Sequence, residues 1–400
     1  MINYFKQATS FRVLELPKLN PTFGFAKITN AWDPIASPLE WNTEITSSSF
    51  TTSGNNANVF TKDGVYGVVS GPENDFDSDF RIDEDVDSAA NIQASCTNLF
   101  YVVNLMHDIF YKYGFTESAG NFQTDNFGKG GVDNDNIIAD PLSVDFTDNA
   151  NFATGPDGQP GILKMYSFTK SNPYRSSSLD NSVVIHELTH GLSERLTGGA
   201  HTADCLETHE ARGLSEGVSD TVAMFMSRTS RDTPLTDFHE GWWVVGASET
   251  DPGFRKYPFS TNMDRNPLTY SKILSNPEIH NLGAVWASIM NEIYWNLVAK
   301  YGFTSNWHDP LGKEGNIVAM RLLVGALKIQ SCQPTFSIAR KAILQTDEDE
   351  FSGKYKCEIW KGFAKRGFGE DADLRRYVDG FVVPKDCHPN QALQKKSTIA

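Results

Sequence analysis

The chain has 400 residues, 40% hydrophobic and 12% aromatic, and a net charge of −15. That is ample apolar material for a large core, divided by length into two or three lobes. The acidic balance leaves no basic stripe to neutralise phosphates, which excludes nucleic acid as a partner. No apolar run approaches the roughly 18 residues needed to cross a bilayer, so no membrane partner is expected. The opening MINYFKQATSFRVLELP lacks the apolar core of a signal peptide, and no Asn-x-Ser/Thr acceptor for N-glycosylation occurs.

Residues 8–70 carry short alternating runs, FRVLEL, FGFAKI and VYGVV, among turn-forming residues, which predicts strands. Residues 71–91 are the most acidic stretch. Asp75, Asp77 and Asp79 make calcium a candidate, but the EF-hand loop needs Gly where Phe80 stands and Glu where Val86 stands, so a solvated loop is favoured. From Ala94 to Tyr113 the apolar spacing predicts a core helix, with His107 as a hydrogen-bonded interior histidine. Residues 120–140 are rich in Gly and Asn, as a turn or weak ion site would be. Residues 148–168 place Pro156 and Gly158 between two apolar runs, the pattern of a hairpin.

The run NSVVIHELTHGLSERLTGG (181–199) predicts a helix, capped by Asn181 or Ser182 and stopped by Gly198 and Gly199. On it His186 and His190 are four residues apart and point the same way, able to share one cation. Glu187 is offset by one residue, beside the cation, where a general base for a metal-activated water belongs. Catalytic zinc needs a third protein ligand. ARGLSEGVSDTVAMFM (211–226) offers it as Glu216 on a second helix, and Asp220 four residues on is placed to accept the spare imidazole N–H of a ligand histidine. His201 and His209 are expected to be exposed loop histidines. Residues 238–270 form a long aromatic and Pro-rich segment, and four helical patterns follow from residue 281, ending in a polar tail at 389–400.

HELTHGLSERLTGG followed by CLETHEARGLSEGVSD resembles the fungalysin family of secreted metalloendopeptidases, relatives of thermolysin. The resemblance extends to NLFYVVNLMHDIFYKYGFTESAGNFQTDNFGKGG (98–131), DNANFATGPDGQPGILKMYSF (148–168), IHNLGAVWASIMNEIYWNL (279–297) and CEIWKGFAKRGFG (357–369), in family order. It implies an α+β, thermolysin-like fold. A strand-rich N-terminal lobe at 1–180 faces zinc-site helices and a mainly helical lobe at 181–388, with the zinc site in the cleft. It also implies that His280 hydrogen-bonds the developing oxyanion, oriented by Glu278, and that Arg255 meets a substrate carbonyl. The strand at Asn149, Ala150 and Asn151 would receive the extended substrate backbone.

One zinc ion, protein or peptide substrates and a monomeric state are expected, with calcium a weaker candidate. The family is secreted with a signal peptide and a prodomain that assists folding and inhibits, so the chain reads as the mature catalytic region of an extracellular zymogen, a truncated form of it or an incomplete gene reading. The alternatives are a zinc hydrolase of a non-peptide bond, or a silent adhesin or inhibitor-binding relative, although such relatives typically lose a ligand or the base. Three positions depart from the family pattern: Leu188 for Tyr, Val218 for Trp, and Glu207 where thermolysin relatives carry an oxyanion-assisting Tyr. Of the five cysteines, Cys205, Cys332, Cys357 and Cys387 fall in or beside family-like segments and allow three pairings. Cys96 reads as a buried free thiol.

Overall fold

The computed structural model describes residues 9–42, 45–46, 49–61, 68, 70, 74–275 and 277–388. Residues 1–8, most of VYGVV, the start of the acidic stretch and the polar tail lie outside these. Strand β1 (Ser10–Val13) turns Phe11 and Val13 into the core, pairs antiparallel with β2 (Ala26–Thr29), and ends up the centre of a three-stranded sheet. Two-residue strands β3 (Ile45–Thr46) and β4 (Ser49–Phe50) pair with each other. Strand β5 (Ala57–Val59) joins the main sheet, and β6 (Asp75–Phe76) completes the first one in parallel with β1.

The first part of the acidic stretch is paired with cations on neighbouring strands. Lys27 Nζ lies 2.6 Å from Asp75, and Arg12 reaches Asp77 at 3.4 Å and Asp79 at 3.7 Å. Neither it nor residues 120–140 brings three His, Cys, Asp or Glu ligand atoms together among the described residues.

Helix α1 (Ala89–Lys112) begins at Ser88, whose hydroxyl accepts from Asn91 N, and is buried along most of its length. A helix buried all round must satisfy polar side chains internally. Asp108 does so by accepting from Asp33 N, Ser37 Oγ and Trp41 Nε1, and His107 faces Asp108 at 3.0 Å.

Strands β7 (Ile137–Ser143), β8 (Ala150–Ala153), β9 (Ile162–Phe168) and β10 (Arg175–Ser176) complete the main sheet in the order β10-β9-β7-β5. β8 lies antiparallel on β9 with Ala150 opposite Met165 and Ala153 opposite Ile162, which is the hairpin read from the sequence.

Helix α2 (Asn181–Leu196) carries the paired histidines. Its cap is Asp180, one residue before Asn181 and two before Ser182, because the Asp180 carboxylate accepts from Ser182 N at 3.2 Å and Ser182 Oγ at 2.6 Å. Gly198 and Gly199 follow the helix at φ of 75° and 91°, as the stop requires. Helix α3 (His209–Met226) crosses α2, then α4 (Ile279–Tyr301). α5 (Gly315–Ile329), α6 (Phe336–Phe351) and α7 (Lys356–Lys365) close the core behind α4. Cys205 pairs with Cys332 and Cys357 with Cys387, one of the three combinations, and Cys96 is buried and free.

Burial raises the Asp180 carboxyl to about 6, with the Ser182 hydrogen bonds opposing, and one of its oxygens has no partner. A carboxyl whose folded-state pKa lies above its unfolded value stabilises the fold below the unfolded pKa, and that contribution fades as pH rises through the folded value. Asp180→Asn keeps the capping acceptor without the charge. Relative to this variant, wild-type stability should fall by about 2–3 kcal/mol between pH 4 and pH 7, since each tenfold change in proton affinity is worth about 1.36 kcal/mol. Urea unfolding of both proteins across that range checks it, and a pH-independent difference would refute it.

Candidate metal centre

His186 and His190 sit one turn apart on α2, their Nε2 atoms 3.2 Å from each other. Glu216, mid-way along α3, brings Oε2 to 3.2 Å from His186 Nε2 and Oε1 to 3.9 Å from His190 Nε2. Zinc–ligand distances of about 2.0–2.2 Å set tetrahedral ligand atoms about 3.3 Å apart, so the three converge at the spacing one ion needs.

The donor chemistry fits as well. Glu216 Oε2 is buried without a hydrogen-bond partner. Burial would raise the Glu216 carboxyl, but His190, His186 and His280 outweigh it and hold it at about 2. Burial pushes His190 down to about 4, which frees its lone pair at neutral pH. His186 behaves in the opposite way. Burial works against its charge, yet Glu240, Asp220 and Glu216 together keep its proton well above the ordinary range, so a cation arriving at Nε2 must displace a proton.

Small residues set this geometry. A Cβ on Gly217 would lie 2.6 Å from Gly283 O, and one on Gly283 would lie 2.6 Å from Glu216 Cβ, so α3 and α4 touch backbone to backbone at Glu216. That contact brings His280, in the first turn of α4, to 3.5 Å from Glu216. The Nδ1 of His280 contacts Glu278, which also caps α4 by accepting from Asn281 N at 3.0 Å. Gly191 plays the same part on the other side, since a Cβ there would lie 2.8 Å from the rings of both Phe122 and Phe152, and Phe152 belongs to β8. The strand thereby packs directly on the histidine helix.

His186, Glu187, His190, Glu216, Arg255 and His280 border a single cavity of about 450 Å³, together with Asn149, Ala150 and Asn151. The edge of β8 away from β9 has no strand partner among the described residues. Glu187 is 7% exposed, and burial pushes its carboxyl up to about 7. Asp220 Oδ1 lies 3.0 Å from His186 Nδ1. Arg255 is half-buried, its side chain 9% exposed. It grips Asp220 through Nε at 2.9 Å and through Nη2, while it borders the cavity.

Two contributors escape sequence reading. Glu240, 1% exposed, lies 3.1 Å from His186 Nδ1 and 3.3 Å from Arg255 Nη2, so two carboxylates flank one imidazole nitrogen. An acid between Phe238 and Trp242 is itself a signal, since aromatic surroundings penalise a charge heavily unless it has a task. The other is Ser215, whose Oγ is 3.0 Å from His190 Nδ1. The second cluster, His186 with Asp220 and Glu240, already holds the Arg255 guanidinium and does not suit a second cation.

His201 is exposed, as expected. His209 is exposed but opens α3 rather than lying in a loop, and its Nε2 bonds Pro277 O. Glu207 borders the cavity and pairs with Arg212, while Leu188 and Val218 are buried packing residues.

A model of the fungalysin metallopeptidase (M36) family matches residues 10–372. Extracellular metalloproteinase mep of Aspergillus flavus is 41% identical over 370 residues, covering 90% of this chain and 58% of that protein. Extracellular metalloproteinase 1 of Arthroderma otae is 38% identical over 407 residues, covering 97% of this chain and 62% of that protein. The chain thus spans about three fifths of the length of these relatives. A solved structure, the precursor of protealysin from Serratia proteamaculans, covers 82% of this chain and 91% of its own with a TM-score of 0.48 and 14% identity, too distant to bear on fold or activity.

Proposed function

The chain belongs to the fungalysin metallopeptidase family, and from that premise we propose that it is a secreted zinc endopeptidase that cuts internal bonds of extracellular proteins. The observation that carries the proposal is the convergence of His186, His190 and Glu216 beside buried Glu187, in a cavity that also reaches the unpaired edge of β8.

When bound by His186, His190 and Glu216, zinc supplies Lewis acidity that polarises a carbonyl and lowers the pKa of water toward neutrality. The chain's own groups do the rest. An extended substrate adds to the free edge of β8 through backbone hydrogen bonds, alongside Asn149, Ala150 and Asn151. Glu187 takes the proton of the attacking water and delivers it to the leaving amine. His280, its Nδ1 side engaged by Glu278, presents Nε2–H to the developing oxyanion. Asp220 and Glu240 hold His186 in the tautomer that leaves Nε2 facing Glu216, and Asp220 also orients Arg255 toward the cavity and a substrate carbonyl.

One zinc per chain and a monomer complete the reading. The division near residue 180 into a strand-rich and a helical lobe belongs to the same proposal, as does a prodomain that inhibits and assists folding.

The test is hydrolysis of casein or gelatin before and after removal of metal by a chelator. Activity should be lost on chelation and return with one equivalent of zinc. Cleavage that survives complete metal removal overturns the proposal, and so does a zinc-loaded, folded protein that cuts no polypeptide. His280→Gln should lower kcat/KM by about 10²-fold, the usual loss on removing one oxyanion donor, with zinc content unchanged. A variant within twofold of wild type would remove His280 from the mechanism.

A further inference from the structure

The catalytic cavity runs along α2. Val183, His186, Glu187, His190 and Glu194 all border it, a stripe that covers about 16 Å of the helix at a rise of about 1.5 Å per residue. Strand β8 lies alongside and runs the same way as α2. Phe152, near its end, packs over Gly191, and just past it Gly155 O accepts from Arg195 Nε at 2.7 Å, so Asn149 at its start faces the earlier turns of the helix. The two ends of the cavity differ in chemistry. At the Asn149 end the rings of Phe168 and Phe254 stack in the wall, 5.5 Å apart, whereas Glu194 and Glu207 border the other end.

Every other carboxylate and guanidinium bordering the cavity has a partner or a task. Arg255 holds Asp220 and Glu240, Arg212 Nε lies 3.1 Å from Glu207, and Asp148 accepts from Thr169 N at 2.9 Å. Glu187 and Glu216 belong to the metal centre. Glu194 is the exception, for it is half-buried, is reachable from within the cavity and makes no ion pair among the described residues. Its neighbour Arg195 is engaged elsewhere, by backbone carbonyls and Asp135. Burial pushes the Glu194 carboxyl up to about 7, Glu207 and Glu216 add to the rise, and Thr154 and Arg195 only partly offset it. A carboxylate so placed in a substrate channel is relieved by a cation that arrives with the substrate.

We propose that Glu194 selects a Lys or Arg side chain of the substrate on the N-terminal side of the cut bond. The side follows from the strand. Antiparallel pairing is the more stable kind, so a substrate on the free edge of β8 runs opposite to β8 and α2 and carries its N-terminal residues toward Glu194. The distance follows from the helix. Glu194 stands two turns past Glu187 on nearly the same face, about 10 Å along the axis, and an extended chain advances about 3.3 Å per residue. A long cationic side chain therefore reaches Glu194 from one of the three residues before the cut. This inference rests on the endopeptidase reading.

The test is cleavage by the zinc-loaded protein at about pH 8, where Glu194 is ionised, of peptides built on one cut sequence. Lys or Gln is placed in turn at each of the three positions on either side of the cut, and products are mapped by mass spectrometry. Lys should exceed Gln in kcat/KM by about tenfold or more at one position before the cut, the size of one charge-assisted hydrogen bond, and at none after it. Glu194→Gln should bring that ratio within twofold, and Glu194→Lys should invert the preference, favouring Glu over Gln at the same position. Arg212→Gln, an exposed change that leaves Glu207 without its partner, should widen the wild-type ratio and keeps the test open if the α2 variants fold poorly. A wild-type ratio below threefold at every position, a preference confined to the C-terminal side, or a ratio that persists in Glu194→Gln overturns the proposal. If no peptide is cut at all, the endopeptidase reading fails first and this inference falls with it.

Discussion

Glu187→Gln is expected to lower hydrolysis of a peptide substrate by about 10²–10⁴-fold, the usual contribution of a positioned general base, while zinc content and stability stay at the wild-type level. The argument rests on where Glu187 stands. It follows a ligand histidine by one residue, so α2 turns its side chain about a quarter-turn away from His186 and His190, beside the ligand set rather than within it. It borders the cavity yet is 7% exposed, and burial raises its carboxyl to about 7, within reach of a proton exchange at neutral pH. Gln keeps the shape and the packing but cannot take a proton. The loss should therefore fall on kcat with KM little changed, the signature of an interaction made only in the transition state. Steady-state kinetics with metal analysis on both proteins decides it. A variant that retains more than a tenth of wild-type kcat removes Glu187 as the base, and one that loses its zinc makes Glu187 a ligand instead.

How much of this was legible in the sequence follows from the range over which each feature is specified. His186, Glu187 and His190 lie within five residues, and Glu216 and Asp220 repeat the same one-turn spacing, so helical geometry alone fixes which of them share a face. That His280 meets Glu216 at 3.5 Å rests on two glycines, Gly217 and Gly283, which let α3 and α4 touch, and Gly283 lies 67 residues from Glu216 along the chain. Glu240 shares no periodic pattern with the histidines, and only the path of the irregular segment after α3 carries it beneath His186. The hairpin at 150–168 was readable because proline and glycine punctuate it, whereas its closeness to the metal helix depends on Gly191 making room for Phe152. The helix cap was misplaced by one or two residues because Asp180, Asn181 and Ser182 are all good caps, and the chain follows the one whose carboxylate reaches Ser182 N.

Arg195 belongs to the part that sequence reading passes over, and it carries the second large effect. It lies on α2 one turn past His190 and is wholly buried. Its guanidinium donates to Gly155 O at 2.7 Å, Gly120 O at 2.8 Å, Gln159 O at 2.9 Å, Pro156 O at 3.2 Å and Asp135 Oδ2 at 3.1 Å. Three of those carbonyls belong to the turn between β8 and β9, so one side chain ties the hairpin to the metal helix. Arg195→Met would fill much of the volume but strand four carbonyls and a buried carboxylate. Breaking one partner of a buried pair costs about 3–5 kcal/mol, and the unmet carbonyls add to that, so a loss of about 4 kcal/mol or more is expected in guanidinium unfolding. Arg195→Lys should recover little, because an ammonium cannot reproduce the fork. In whatever fraction stays folded, the zinc ligands and Glu187 are untouched while the strand at Asn149 to Asn151 is loosened. KM for long peptides should therefore rise several-fold with kcat nearly preserved. A loss below about 1 kcal/mol, or a fall in kcat with KM unchanged, would mean that the hairpin is held in place by Phe152 against Gly191 and not by Arg195.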